Sequence, residues 1–171
     1  MVPFIVQAQY YASYHQNPLT RYVHMAVVPF MILSSMILLG FVRIVITGVL
    51  DLSLAEIATA LLLVYYFLLN WRLSLAFTPV CILFLWLAHW FSIGGPNGFA
   101  LGAFFVTFVV AWSMQFIGYF IEGKRPVLVD NIKQALIAPL ILTAELFFSM
   151  KRMSSLKEAI FGKTSDAEGS V

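Results

Sequence analysis

Polar residues interrupt the apolar pattern of this chain at only a few places, and the intervals between them have the length of membrane-spanning helices. Apolar stretches cover residues 25–49, 52–71, 73–93 and 99–121, broken by Arg43 in the first, by Glu56 and Asn70 in the second, by His89 in the third and by Gln115 in the fourth. Each holds roughly 20 residues or more, enough at about 1.5 Å per residue to cross a hydrocarbon core of about 30 Å. Arg72 marks a tight reversal between the second and third, and Gly94-Gly95-Pro96-Asn97-Gly98 is a strong turn before the fourth. A further apolar stretch, 135–150, is short and carries Pro139 and Glu145, which suits an interfacial or re-entrant helix. The pattern predicts an all-α integral membrane protein. It has four transmembrane helices, an N-terminal interfacial helix and a short C-terminal interfacial or re-entrant helix. Residues 1–150 are expected to form a single transmembrane helical domain and 151–171 a polar tail, disordered over its last residues.

Composition supports that class. Hydrophobic residues make up 61% of the chain and charged ones 11%, and the mean hydropathy of +0.92 is far above that of soluble domains. The formal net charge of +2 is too small to suggest a nucleic-acid partner. Cys81 stands alone in an apolar run, which excludes an intramolecular disulfide or a cysteine-based metal cluster. The first residues lack the basic region of a cleavable signal peptide. With four spans and an inward N-terminus, Arg21, Arg72, Lys124, Arg125, Lys133, Lys151, Arg152, Lys157 and Lys163 all fall on the inner side, and only Arg43 on the outer. This positive-inside bias places both termini in the cytoplasm, and a fifth span would weaken it. A short chain without a retrieval signal fits a bacterial inner membrane better than the endoplasmic reticulum.

Two polar segments carry the candidate chemistry, and the topology puts both at the cytoplasmic interface. The first is Tyr14-His15-Gln16-Asn17-Pro18 continuing to His24. Asn17-Pro18 favours a turn and a fresh helix start, so a turn can fold His15 and His24 toward one point, and imidazole is the commonest protein metal ligand. The plainer reading is that both are interfacial polar residues like the tyrosines around them. The second segment runs from Gln115 to Asn131 and holds Tyr119, Glu122, Lys124, Arg125 and Asp130. Arg125 or Lys124 suits the grip of a carboxylate or headgroup, and Glu122 or Asp130 suits a metal ligand or base. The plainer reading is a basic membrane anchor with balancing carboxylates. Pro126 stops the preceding helix there. Gln115 and Glu145 lie within apolar stretches, where polar side chains mark either function or interhelical hydrogen bonding. His89 is 17 residues beyond Arg72, about 25 Å deeper along a helix, and so is excluded from the site. Arg43 is expected to snorkel.

YYASYHQNPLTRYVH before an apolar span, QFIGYFIEGKRPVLVDN after the fourth, and Ala138-Pro139-Leu140 beyond it resemble the membrane-embedded 2-hydroxy fatty-acid dioxygenase family. The likeness reaches to about Met150. It implies an iron(II)-dependent enzyme that uses dioxygen to shorten 2-hydroxy fatty acids by one carbon, as the family's characterised fungal member does in phytosphingosine breakdown. His15 and His24 match two family histidines, and Glu122, Lys124, Arg125, Pro126, Asp130 and Asn131 match the second motif. The resemblance makes His15, His24, Glu122 and Asp130 the catalytic candidates, with His15, His24 and Tyr119 as metal ligands. It makes Lys124, Arg125, Asn131 and Gln115 the substrate-binding candidates. The chain departs from the family at Tyr119, where the pattern is Q-F-I-G-H, and at Gln16, often basic or histidine. Two other functions compete: a catalytically inactive or repurposed lipid-binding relative, which Tyr119 favours, and a small structural membrane subunit.

Overall fold

The computed structural model describes residues 4–14, 18–122 and 132–162. Among these, helices α1 (Phe4–Tyr14) and α2 (Pro18–Gly40) are followed by strands β1 (Arg43–Ile46) and β2 (Leu50–Ser53). Then come α3 (Leu54–Leu69), α4 (Trp71–Ser92), α5 (Gly98–Glu122), α6 (Ile132–Ser149) and α7 (Ser154–Phe161). Three helices are long and apolar enough to cross a membrane, over Val23–Gly40, Trp71–Ser92 and Gly98–Gly118. Leu54–Leu69 and Leu136–Ser149 are apolar but shorter.

The expected first span, 25–49, does not run its length as a helix. α2 stops at Gly40, and residues 43–53 form an antiparallel hairpin with Arg43 opposite Ser53 and Ile46 opposite Leu50. The run Arg43-Ile44-Val45-Ile46-Thr47-Gly48-Val49 is rich in β-branched residues, which lose rotamer freedom in a helix and fit a pleated strand. Gly48 takes φ +78° at the turn, a left-handed conformation that side chains other than glycine rarely accept. Arg43 does not simply reach outward: its Nε and Nη2 donate to Asp51 Oδ1 at 3.0 and 2.8 Å across the hairpin. An all-helical description therefore needs this one correction.

Local chemistry sets the other boundaries. Ser53 and Glu56 form a reciprocal capping box at the start of α3, two orphan amides being satisfied at once. Asn70, not Arg72, is the reversal: its N–H bonds back to Tyr66 O at 2.9 Å and its side chain caps α4 at Leu73 N. Asn97 caps α5 by accepting from Ala100 N at 2.9 Å.

Contacts fix which helix ends lie together. A Cβ on Gly40 would meet Ser92, so α2 and α4 end side by side and run parallel. Phe99 at the start of α5 packs on Trp90 and Phe91 at the same end. At the opposite end, the Tyr66 ring meets Phe77 edge-on at 5.8 Å, and its hydroxyl donates to Leu136 O of α6. The ring of Pro139 disturbs the carbonyls one turn before it, which leaves that turn ready for an outside donor. The starts of α2, α4 and α6 and the ends of α3 and α5 thus share one end of the bundle. Phe4, Ala8 and Tyr11 of α1 are buried in the same cluster as Leu73, Phe77, Ile137, Ile141 and Ile160. Gln9 Nε2 of α1 also donates to Ala159 O of α7 at 2.8 Å.

Candidate functional site

The most extensive helix pairing joins α2 to α5, and it holds the polar side chains that sequence singled out in both. His24, in the second turn of α2, is 3% exposed, and Gln115 of α5 is 6% exposed. Gly118 lies three residues past Gln115 and so on the same face of α5. A Cβ at 118 would sit 3.5 Å from His24 Cε1, 3.7 Å from His24 Nδ1 and 3.5 Å from Val23 Cγ1. Ala111, one turn further back, is fully buried on this face too. Small residues let two membrane helices approach closely, and here they bring the α5 backbone against an imidazole. Burying an imidazole and a carboxamide in an apolar bundle is costly unless each is used or paired.

Chain connectivity extends this placement. Residues 15–17 join α1 to the start of α2, and 123–131 join the end of α5 to the start of α6. Both polar segments therefore connect elements whose described ends meet at the His24 end of the bundle. His15, Lys124, Arg125, Pro126, Asp130 and Asn131 lie outside the described residues, as do the side chains of Tyr119 and Glu122. Glu145 is half-buried on α6. His89 lies near the far end of α4, three residues before Ser92, flanked by the exposed Trp86 and Trp90. It takes no part in the site.

Among the described residues no three His, Cys, Asp or Glu side chains gather as a metal-binding group. Of the ligands the family likeness implies, His24 is the one whose side chain is described. It fits the requirement in being a buried imidazole fixed on a helix, with Gly118 of α5 against its ring. Sequence reasoning passed over Gly118. The available signal was a glycine three residues after an intramembrane glutamine, inside a helix where glycine is otherwise unfavourable.

The contact predicts a graded response. At 3.5 Å a methyl makes ordinary contact, so Gly118→Ala should assemble normally, with a stability change within about 1 kcal/mol. Gly118→Leu should force the imidazole aside and separate α2 from α5, which a proximity crosslink between cysteines placed on the two helices would report. Equal crosslinking in Gly118→Leu and the parent would contradict the packing described.

Three spanning-length apolar helices define a membrane-associated helical protein. Residues 1–150 match the family described as Mpo1-like, 2-hydroxy-palmitic acid dioxygenase Mpo1-like, and the chain belongs to that family. It is 30% identical over 159 residues to the 2-hydroxy-palmitic acid dioxygenase MPO1 of Saccharomyces cerevisiae, covering 90% of this chain and 85% of that protein. No solved structure matches the chain.

Proposed function

We propose that the chain is an iron(II)-dependent dioxygenase that shortens 2-hydroxy fatty acids by one carbon. The observation that carries this reading is the buried His24 against Gly118, at the end of the bundle where both family motifs attach. The yeast relative is named for 2-hydroxy-palmitic acid, and a lipid of that kind suits a site at a membrane interface. The overall reaction closes without a further reductant. The bond between carbons 1 and 2 breaks, carbon 2 becomes the new carboxylate, carbon 1 leaves as carbon dioxide, and one dioxygen ends in these products and water.

His24 would hold the metal together with His15 and an oxygen donor from Tyr119, Glu122 or Asp130, a mixed set of the kind that binds iron. Iron(II) supplies the open positions and the electrons that dioxygen chemistry requires. Arg125 or Lys124 would grip the substrate carboxylate, arginine in bidentate fashion. Asn131 and Gln115 would orient the 2-hydroxyl, and Glu122 or Asp130 would accept its proton. The close α2–α5 packing would keep bulk water from His24.

We further propose that α3 is the fourth span. It has 16 residues, about 24 Å of helix, yet it connects the two ends of the bundle with the hairpin making up the remaining length. α1 and α6 then lie along or re-enter the inner interface, and both termini are cytoplasmic, as the basic residues require.

The test is direct. Purified protein loaded anaerobically with iron(II) should, on addition of dioxygen, convert 2-hydroxypalmitate to the acid one carbon shorter and leave palmitate unchanged. Absence of turnover with iron bound would sink the reading. Lipid binding without turnover would instead favour an inactive lipid-binding relative, to which Tyr119 already points.

A further inference from the structure

Outside the α2–α5 contact, helices α2, α4 and α6 enclose an apolar groove of about 230 Å³, open on one side. Its walls follow one rule. In each helix the lining begins about seven residues from the helix start and ends about seven residues later: Met25 to Ile32, Phe77 to Phe84, Pro139 to Leu146. Because the three helices start at the same end of the bundle, these stretches lie side by side. The groove therefore runs for about 10 Å along the helix axes, from the depth of His24 toward the middle of the bundle. Its near end lies at the turn of α2 that carries His24, and Val28, four residues on, continues the His24 stripe into the lining. Two of its walls carry helix-interior prolines, Pro29 and Pro139, whose rings push on the preceding turn and hold neighbouring helices apart. The lining is mostly apolar, and the Thr143 hydroxyl already donates to Pro139 O at 2.8 Å.

We infer that this groove holds the alkyl chain of the 2-hydroxy acid, and that Ile32, Phe84 and Leu146 at its far end set the chain length accepted. The inference rests on the proposed lipid-oxidising function and names the tail site for it. A bilayer lipid would wet any of the apolar faces, such as Phe105, Val106 and Val109 on α5. What singles out the groove is that its lining begins at the turn of α2 that carries the buried histidine. An acid whose head is held at His24 can lay its tail along this apolar lining.

The experiment uses the full chain in membranes. A 2-hydroxyhexadecanoic acid with a photoreactive diazirine near its methyl end is bound and irradiated, and the labelled peptides are mapped. Labelling at Ile32, Phe84 or Leu146, competed away by unlabelled 2-hydroxypalmitate, supports the groove. Labelling that is spread over the α5 lipid face, or that no competitor removes, overturns it. Leu146 and Val80 are 55% and 38% exposed, so Leu146→Trp and Val80→Trp should fold. Both should shift preference to shorter chains, with at least a tenfold loss for the sixteen-carbon acid. Ile82→Trp, on an exposed position outside the groove, should leave the preference unchanged, and an equal shift there would also overturn the assignment. Because labelling needs no turnover, competed labelling in an inactive protein would uphold the groove while removing the dioxygenase reading. Turnover with labelling elsewhere would do the reverse.

Discussion

His24→Ala is expected to reduce bound iron and to lower turnover of 2-hydroxypalmitate by more than the roughly 10–100-fold associated with losing an outer-shell partner of a metal ligand. The bundle should survive. His24 lies in the second turn of α2 against a glycine, and truncating it removes a buried polar group rather than a packed apolar one, so the stability cost should stay near 1 kcal/mol. Val27→Ala provides the contrast. Val27 is fully buried one turn further along, and its truncation should destabilise by about 1–3 kcal/mol while the folded fraction keeps its activity and iron. Activity per folded molecule and iron content, read together, therefore separate a ligand from a packing residue. Unchanged iron content and turnover in His24→Ala would remove the histidine from the site. His24→Gln tests the same point with a side chain that can still hydrogen-bond. It should pack like the parent and still lose iron.

Much of this arrangement was readable from the order of residues, because long apolar runs leave a chain few options in a membrane. The stretches 73–93 and 99–121 are close to α4 and α5, where hydropathy and turn chemistry point the same way. Asn97 in Gly95-Pro96-Asn97-Gly98 both ends the turn and caps the next helix. The hairpin was missed because hydropathy alone does not distinguish an apolar strand from an apolar helix. The β-branched Ile44-Val45-Ile46-Thr47, the glycine at 48 and the Ser53–Glu56 capping box were the signals that hydropathy hid. The candidate site was legible in part. Sequence named His24 and Gln115 and excluded His89 by depth. It did not show that the His24 ring packs on Gly118, since the facing of two helices is decided by tertiary packing. Nor did it show the groove, whose walls come from three helices far apart in the chain.

Gly40→Ala is expected to loosen the far end of the bundle despite improving the helix that carries it. Helix propensity alone favours alanine over glycine by about 1 kcal/mol. The structure opposes this: the added Cβ would lie 2.5 Å from Ser92 Oγ and 2.9 Å from Ser92 Cβ, and Ser92 is itself buried. Rotating the hydroxyl away relieves only the first clash. The second involves an atom fixed to the α4 backbone, so α2 and α4 must separate. Overpacking of this kind costs about 1–3 kcal/mol, and in a membrane the loss is not offset by a hydrophobic drive to re-close, since lipid tails are as apolar as the helices. The net effect should be destabilisation, read as a lower thermal midpoint in detergent. Ser92→Gly removes both clashing atoms, so Gly40→Ala combined with Ser92→Gly should recover most of the loss. The coupling between the two positions should be at least about 1 kcal/mol. A Gly40→Ala protein more stable than the parent would mean that propensity outweighs contact, and that α2 and α4 do not meet at their ends. The same contact fixes the parallel course of these two helices, so it also decides whether the walls of the groove start at the depth of His24.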